Sequence, residues 1–132
     1  MSARIRITSL ILRVILGLIF VVFGLNGFLG FMPMPPMEGA AASFMGALAA
    51  TGYMFPLIKG TEIVAGALIL SGRALPLGLV LLAPVLVNIL AFHLVLTPGE
   101  SGMAVALVVM SLGLAWIHRS AFRGLLSGSS AN

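Results

Sequence analysis

Residues 75–96 read LPLGLVLLAPVLVNILAFHLVL, and this stretch decides the fold class. It contains no Lys, Arg, Asp or Glu, and it is apolar on every side rather than at alternate positions, as a membrane strand would be. A helix of about 20 apolar residues crosses the hydrocarbon core of a bilayer. The run ends at Thr97-Pro98-Gly99, which favours a turn. We therefore predict a transmembrane helix at residues 75–96.

Three further apolar runs accompany it, at residues 10–31, 53–70 and 102–117. Hydrophobic residues make up 61% of the 132-residue chain and charged residues 8%, whereas a soluble domain carries about 25% charged residues. We predict an all-α fold, an integral membrane four-helix bundle that forms a single domain over residues 1–126. Residues 127–132 are small and polar, which predicts a disordered tail.

The start of the chain has features of a targeting sequence, because it is basic and precedes an apolar run. The run continues to Phe31, too far for a signal-peptide core, and residues 32–36 are proline-rich rather than a cleavage site. We interpret it as an uncleaved first span; a mitochondrial presequence is the weaker alternative. Residues 39–51 are rich in Ala, Met and Leu, which predicts a short extra helix in the first outer loop rather than a plain connector.

Six of the seven basic residues fall at one predicted side of the membrane. The two other loops, residues 32–52 and 97–101, contain Glu38 and Glu100 but no Lys or Arg. Because basic loops stay in the cytoplasm, both termini are predicted there. The net charge of +4 is too scattered to indicate a nucleic-acid partner. The six residues are Arg4, Arg6, Arg13, Arg73, Arg119 and Arg123.

Polar side chains within membrane helices are costly, so they usually face the bundle interior. The candidates lie within about 5–13 Å of the outer ends of their predicted helices, at about 1.5 Å per residue. This common depth predicts a polar pocket in the outer half of the bilayer. The candidate pocket residues are Asn26, Lys59, Glu62, Asn88 and His93.

Lys59 and Glu62 are three residues apart, so they share one helix face. Glu62 either handles a proton or ligand or forms a structural ion pair, and Lys59 either tunes it or extends towards the surface. Asn88 follows a helix-kinking proline and either binds a carbonyl or joins two helices. His93 lies near the interface, where a satisfied or partly exposed histidine is the simpler interpretation. No metal site and no catalytic residue are predicted, and the absence of cysteine excludes thiol chemistry.

The chain resembles the DoxX-like family of small four-helix membrane proteins. The resemblance extends from about residue 16 to residue 99 and depends on the order of several short motifs rather than on any one of them. It implies a four-helix architecture in a bacterial inner membrane and, more remotely, a role linked to quinone chemistry. The motifs are residues 23–28 (FGLNGF), 50–53 (ATGY), 59–66 (KGTEIVAG), 70–73 (LSGR) and 83–93 (APVLVNILAFH).

The leading hypothesis is an accessory membrane subunit, linked to an oxidoreductase, that binds a small apolar molecule in the outer-half pocket. A quinone is the candidate cofactor, with Glu62 exchanging a proton and with Asn26 and Asn88 holding a carbonyl. The alternatives are a structural or interaction subunit without a ligand and, less favoured, a small transporter. Besides the bilayer, the expected partners are a membrane or peripheral oxidoreductase or further copies of the chain.

Overall fold

A computed structural model describes residues 1–127 of the chain, and within that range every element of secondary structure is a helix. Most of the predicted disordered tail, residues 128–132, lies outside the described residues. A 3₁₀ helix, Arg119–Phe122, precedes the last short helix. The α-helices are α1 (Ala3–Leu29), α2 (Gly39–Ala50), α3 (Met54–Ser71), α4 (Leu75–Val95), α5 (Gly102–Ile117) and α6 (Arg123–Leu126).

Three of these helices, α1, α3 and α4, are long and apolar enough to cross a membrane. The α5 helix has 16 residues and falls short alone. It continues into residues 119–126, which we call the bent segment because their direction differs from that of α5 by 83°. The described chain therefore has three such helices, or four when α5 and the bent segment are counted as one.

The first helix begins earlier than the apolar run predicts, at Ala3 instead of residue 10. The hydroxyl of Ser2 accepts a hydrogen bond from the Ile5 amide at 3.3 Å, and this N-cap satisfies one of the free donors of the first turn. The helix ends where Gly30 adopts a φ of 63° and prolines follow. The short helix predicted between the first two long helices is present as α2.

Four helices form a closed ring, because α1 contacts both α3 and α5, and α4 also contacts both. Large apolar side chains on the outside, such as Leu18, Val87 and Leu112, are exposed, as a lipid-facing surface requires. Leucines, isoleucine, phenylalanine and alanine fill the shared interior. The most buried of them are Leu16, Phe20, Ala65, Ile69, Leu82 and Leu114.

Glycines set the close approach of α1 and α3. A Cβ atom on Gly17 would lie 2.9 Å from the Gly66 carbonyl oxygen, and one on Gly66 would lie 3.0 Å from the Gly17 carbonyl oxygen. Gly24 also meets α3, with its hypothetical Cβ 2.7 Å from Ile63 Cγ1. Small residues thus let the two backbones touch, as at many membrane helix interfaces. Gly30 has open space around it and serves as the helix terminator.

Candidate functional site

The Lys59 and Glu62 side chains form an ion pair inside the ring, with 3.2 Å between Lys59 Nζ and Glu62 Oε2. The carboxylate is buried, at 5% side-chain exposure, whereas the lysine is 22% exposed. Gly27 leaves room for the lysine, because a Cβ there would lie 2.5 Å from Lys59 Cγ. The lysine stem therefore passes over α1 and returns its ammonium group to α3. This arrangement confirms the predicted Lys59–Glu62 contact.

Asn26 is buried, but its amide serves the loop after α1. Its Oδ1 accepts a hydrogen bond from the Met32 amide at 2.7 Å, and its Nδ2 donates to the Met32 carbonyl at 3.3 Å. Both ends of the amide are bonded to one backbone residue, while the expectation that Asn26 holds a ligand carbonyl stays a prediction. Its role is to fix the chain where the helix ends.

Asn88 does not join the interior group. Its side chain is exposed on α4, whereas Glu62 is buried in α3. The residues of α4 that face the core are Leu82 and Leu86, and Asn88 lies about 160° further round the helix than Leu86 at 3.6 residues per turn. The predicted pairing of Asn88 with Glu62 in one pocket is therefore wrong.

His93 does line a cavity, together with residues that the sequence did not single out. It follows Leu86 by seven residues, about two turns, and therefore lies on nearly the same face of α4. Its Nδ1 donates to the Ile89 carbonyl at 2.8 Å, since a carbonyl can only accept. The second nitrogen, Nε2, is therefore an acceptor when the ring is neutral. His93 is half-buried rather than free at the surface.

The cavity next to His93, which we call the α2-side cavity, has a volume of about 320 Å³. Two of the three acidic residues of the chain, Glu38 and Glu100, line it, and no Lys or Arg does. The ring of Phe92 packs against Phe44 of α2, with 5.8 Å between centroids, and this contact holds α2 beside the cavity. The remaining lining residues are Pro35, Pro36, Met37, Ala41 and Thr97.

Thr97 supplies an unsatisfied polar atom in this wall. Its hydroxyl oxygen is inaccessible to solvent and has no hydrogen-bond partner among residues 1–127. Leaving a buried hydroxyl without a partner costs about 1–3 kcal/mol. The oxygen has no accessible surface, so it is buried behind the cavity wall rather than open to the cavity.

Sequence reasoning missed Glu38, Thr97 and Glu100 as cavity residues. The two acids are far apart in the chain and were used only as orientation signals, because loop carboxylates are ordinarily solvated. The sequence did offer one signal, since Glu38, Glu100 and His93 are all predicted to lie near the outer side of the membrane. Three such side chains do not form a metal site here, since no group of three His, Asp or Glu in the described chain is placed to hold a metal ion.

The opposite end of the molecule carries a second polar cluster that was also missed. Arg13 donates from Nε to the Ile69 carbonyl and from Nη2 to the Leu70 carbonyl, each at 3.1 Å. These carbonyls belong to the last turn of α3, where no helical partner remains. Ser9 and His118 share a hydrogen bond of 2.8 Å that ties α1 to the end of α5. Burial lowers the pKa of His118, and the Arg13 charge lowers it further.

Neither the Lys59–Glu62 pair nor Asn88 lines the α2-side cavity. The polar residues predicted to form one pocket are thus divided among an ion pair, a loop anchor, an exposed amide and a cavity wall. Comparison of the chain with protein-family models, curated proteins and solved structures finds no match. The resemblance to the DoxX-like family therefore remains a prediction.

Proposed function

We propose that the chain is a four-span protein of the bacterial inner membrane with both termini in the cytoplasm. The proposal is supported by the three long apolar helices and by the apolar α5 with its bent segment. Arg13 and Arg73 lie at the end that would face the cytoplasm, and the α2-side cavity lies at the end without Lys or Arg. Reporter fusions after Arg73 and Arg123 should report cytoplasm, and a fusion at Glu38 should report the outside. A cytoplasmic report at Glu38 would overturn the orientation.

The proposed activity is binding, as an accessory subunit of a membrane oxidoreductase, of a small molecule in the α2-side cavity. The observation that carries this proposal is the excess of acceptors in the cavity wall. The carboxylates of Glu38 and Glu100 accept hydrogen bonds and donate none. A ligand for this wall donates hydrogen bonds and has an apolar body to lie against Phe92 and the prolines.

A quinol fits this description better than a quinone does. Its two hydroxyls can donate to the two carboxylates, whereas the carbonyls of a quinone only accept and gain no hydrogen bond from them. The quinone that the family resemblance implies would therefore bind in its reduced form. Glu62 is not part of the proposed binding wall, since it is paired with Lys59.

Binding of a short-chain benzoquinol and of the matching quinone to the purified full chain in detergent tests the proposal. The quinol should bind at least about tenfold more tightly. Glu38→Gln or Glu100→Gln should each weaken quinol binding about tenfold, because a hydrogen bond to a charged group contributes about 1.5–3 kcal/mol. Arg73→Gln, a charge change in the α3–α4 turn, is the matched control and should bind normally. Equal binding of both forms, or no effect of the carboxylate variants, would contradict the proposal.

A structural or interaction subunit is the second candidate, and one observation favours it. Lys59, Glu62 and Asn26 all find partners within the chain, as residues that only stabilise a bundle would. In that case a partner enzyme should co-purify with the Glu38→Gln and Glu100→Gln variants as well as with the wild type, and no quinol should bind. Measuring co-purification and quinol binding on the same variants distinguishes the structural role from the binding role.

A further inference from the structure

A long apolar groove runs along the outside of the ring between α4 and α5. It has a volume of about 320 Å³, and Ser111 supplies its only side-chain oxygen. That hydroxyl donates to the Leu107 carbonyl of its own helix at 2.9 Å, so it offers no donor to a ligand. The groove is therefore suited to hydrocarbon and not to a polar head group. Its walls include Leu79, Ala83, Leu90, Val108, Leu112 and Ala115.

The length of the groove matches one leaflet of a bilayer. On α4 its lining extends from Leu79 to Leu90, eleven residues at about 1.5 Å each, or about 16 Å. Half of a hydrocarbon core of about 30 Å is about 15 Å. A straight alkyl chain that enters from one membrane surface would thus fill the groove and end near the middle of the bilayer.

The bent segment closes one end of the groove and brings charge to it. Phe122 lines the groove and packs against the core, while Leu125 and Leu126 remain exposed. Arg119 lies three residues before Phe122 in a 3₁₀ helix, so the two side chains leave the same face. Arg123 follows directly, and both arginines are exposed.

Arg119 already has the surroundings of a residue at a membrane surface. Its guanidinium lies 4.7 Å from the centre of the Trp116 ring and donates to the Trp116 carbonyl at 2.9 Å. Tryptophan is enriched where hydrocarbon meets water, so Trp116 marks this level on α5. Neither contact neutralises the positive charge, and no Asp or Glu occurs after Glu100.

We propose that the groove binds one acyl chain of an anionic phospholipid, whose phosphate head group lies between Arg119 and Arg123. The occupant follows from the combination of an apolar groove of leaflet length with two cations at its end that have no acidic partner among residues 1–127. The inference needs the membrane insertion proposed above. It is independent of the ligand in the α2-side cavity, so failure of quinol binding would not affect it.

The experiment uses the purified full chain after delipidation in detergent. Native mass spectrometry counts bound lipid during titration with phosphatidylglycerol or with phosphatidylcholine of the same acyl chains. The wild type should bind one phosphatidylglycerol about 10- to 30-fold more tightly than phosphatidylcholine, because each Arg near an anionic surface contributes about 1 kcal/mol. The double variant R119Q/R123Q should bind both lipids equally. Arg73→Gln, which removes an exposed arginine from another loop, should keep the preference.

A second pair of variants tests the groove itself. Ala83→Phe places a ring in the groove and should lower the affinity for both lipids at least about tenfold. Ala91→Phe adds the same ring to an exposed position of α4 that does not line the groove, and should have no effect. Both sites are exposed, so neither substitution disturbs the core.

Three results would overturn the inference. Equal affinity of the wild type for the two lipids would show that the arginines do not select the head group. Full lipid binding by Ala83→Phe would place the lipid elsewhere. A delipidated dimer that Ala83→Phe dissociates would show that the groove is an interface between two copies of the chain.

Discussion

The α1–α3 interface makes a quantitative prediction at Gly17. An added Cβ would lie 2.8 Å from Leu70 Cβ and 2.9 Å from both the Leu70 amide nitrogen and the Gly66 carbonyl oxygen, whereas ordinary contacts of this kind are 3.4–4 Å. Backbone atoms cannot rotate away as a side chain can, so the helices must separate by about 0.5–1 Å. Overpacking of this kind costs about 1–3 kcal/mol.

The opposing effect is helix propensity, since alanine is about 1 kcal/mol more favourable than glycine inside a helix. Gly17→Ala should therefore lower the free energy of unfolding by about 1 kcal/mol net. Gly60→Ala is the matched control, because Gly60 is interior to α3 and a Cβ there meets nothing within 4 Å. That variant should gain up to about 1 kcal/mol, so the two variants should differ by about 1–3 kcal/mol.

The free energy of unfolding can be measured by titrating each purified variant with sodium dodecyl sulfate in mixed micelles and recording far-ultraviolet circular dichroism. The difference between the variants cancels the propensity effect and isolates the cost of the contact. Equal stability of Gly17→Ala and Gly60→Ala would refute the close approach of α1 and α3 at this level.

Three further predictions use the same unfolding assay. Glu62→Gln should lower the free energy of unfolding by about 1–3 kcal/mol, because it leaves Lys59 partly buried without its partner. The double variant K59M/E62Q should lose less stability than the sum of the two single variants, and strict additivity would mean that the pair does not interact. Arg13→Gln should cost about 1–3 kcal/mol by removing both hydrogen bonds to the end of α3, and a neutral effect would show that water replaces them. Because the pKa of His118 is lowered in the folded state, its contribution to stability is complete above about pH 6.5 and decreases as the pH falls through the folded-state pKa. His118→Gln can still bond Ser9 but cannot titrate, so its stability should change less between pH 8 and pH 5, and an unchanged pH profile would contradict the assignment.

The apolar runs predicted the long helices because lipid permits few alternatives to a helix with internal hydrogen bonds. The start of α1 was missed because an apolar run does not include the polar turns that precede it. The helix extends about two turns before the apolar run, through Arg4 and Arg6. The Ser2 N-cap marks where it begins. Local capping, rather than burial, sets that boundary.

The candidate site was harder to predict because α4 is apolar on nearly every side. A helix of this kind gives no indication of which face turns inward, so depth alone placed Asn88 beside Glu62. Packing against α3 and α5 fixes the rotation and leaves Asn88 exposed. His93 lines a cavity, but its neighbours Glu38 and Glu100 come from loops whose positions depend on α2 packing against Phe92.

The two halves of the ring differ in how much they can adjust. Between α1 and α3, Gly17 and Gly66 bring backbone against backbone, and a shift there would break contacts that no side chain can replace. Between α4 and α5, flexible aliphatic side chains border an open groove, and Pro84 inside α4 leaves one backbone carbonyl without its usual helical donor. The α2-side cavity is also lined by α4, at Phe92 and His93, and by Thr97 just after the helix. A ligand in the cavity and a lipid in the groove would therefore both act on α4, against a fixed α1–α3 pair. Since any movement of α4 changes both sites, occupancy of one should alter affinity at the other, and thermodynamic linkage requires the effect to be reciprocal.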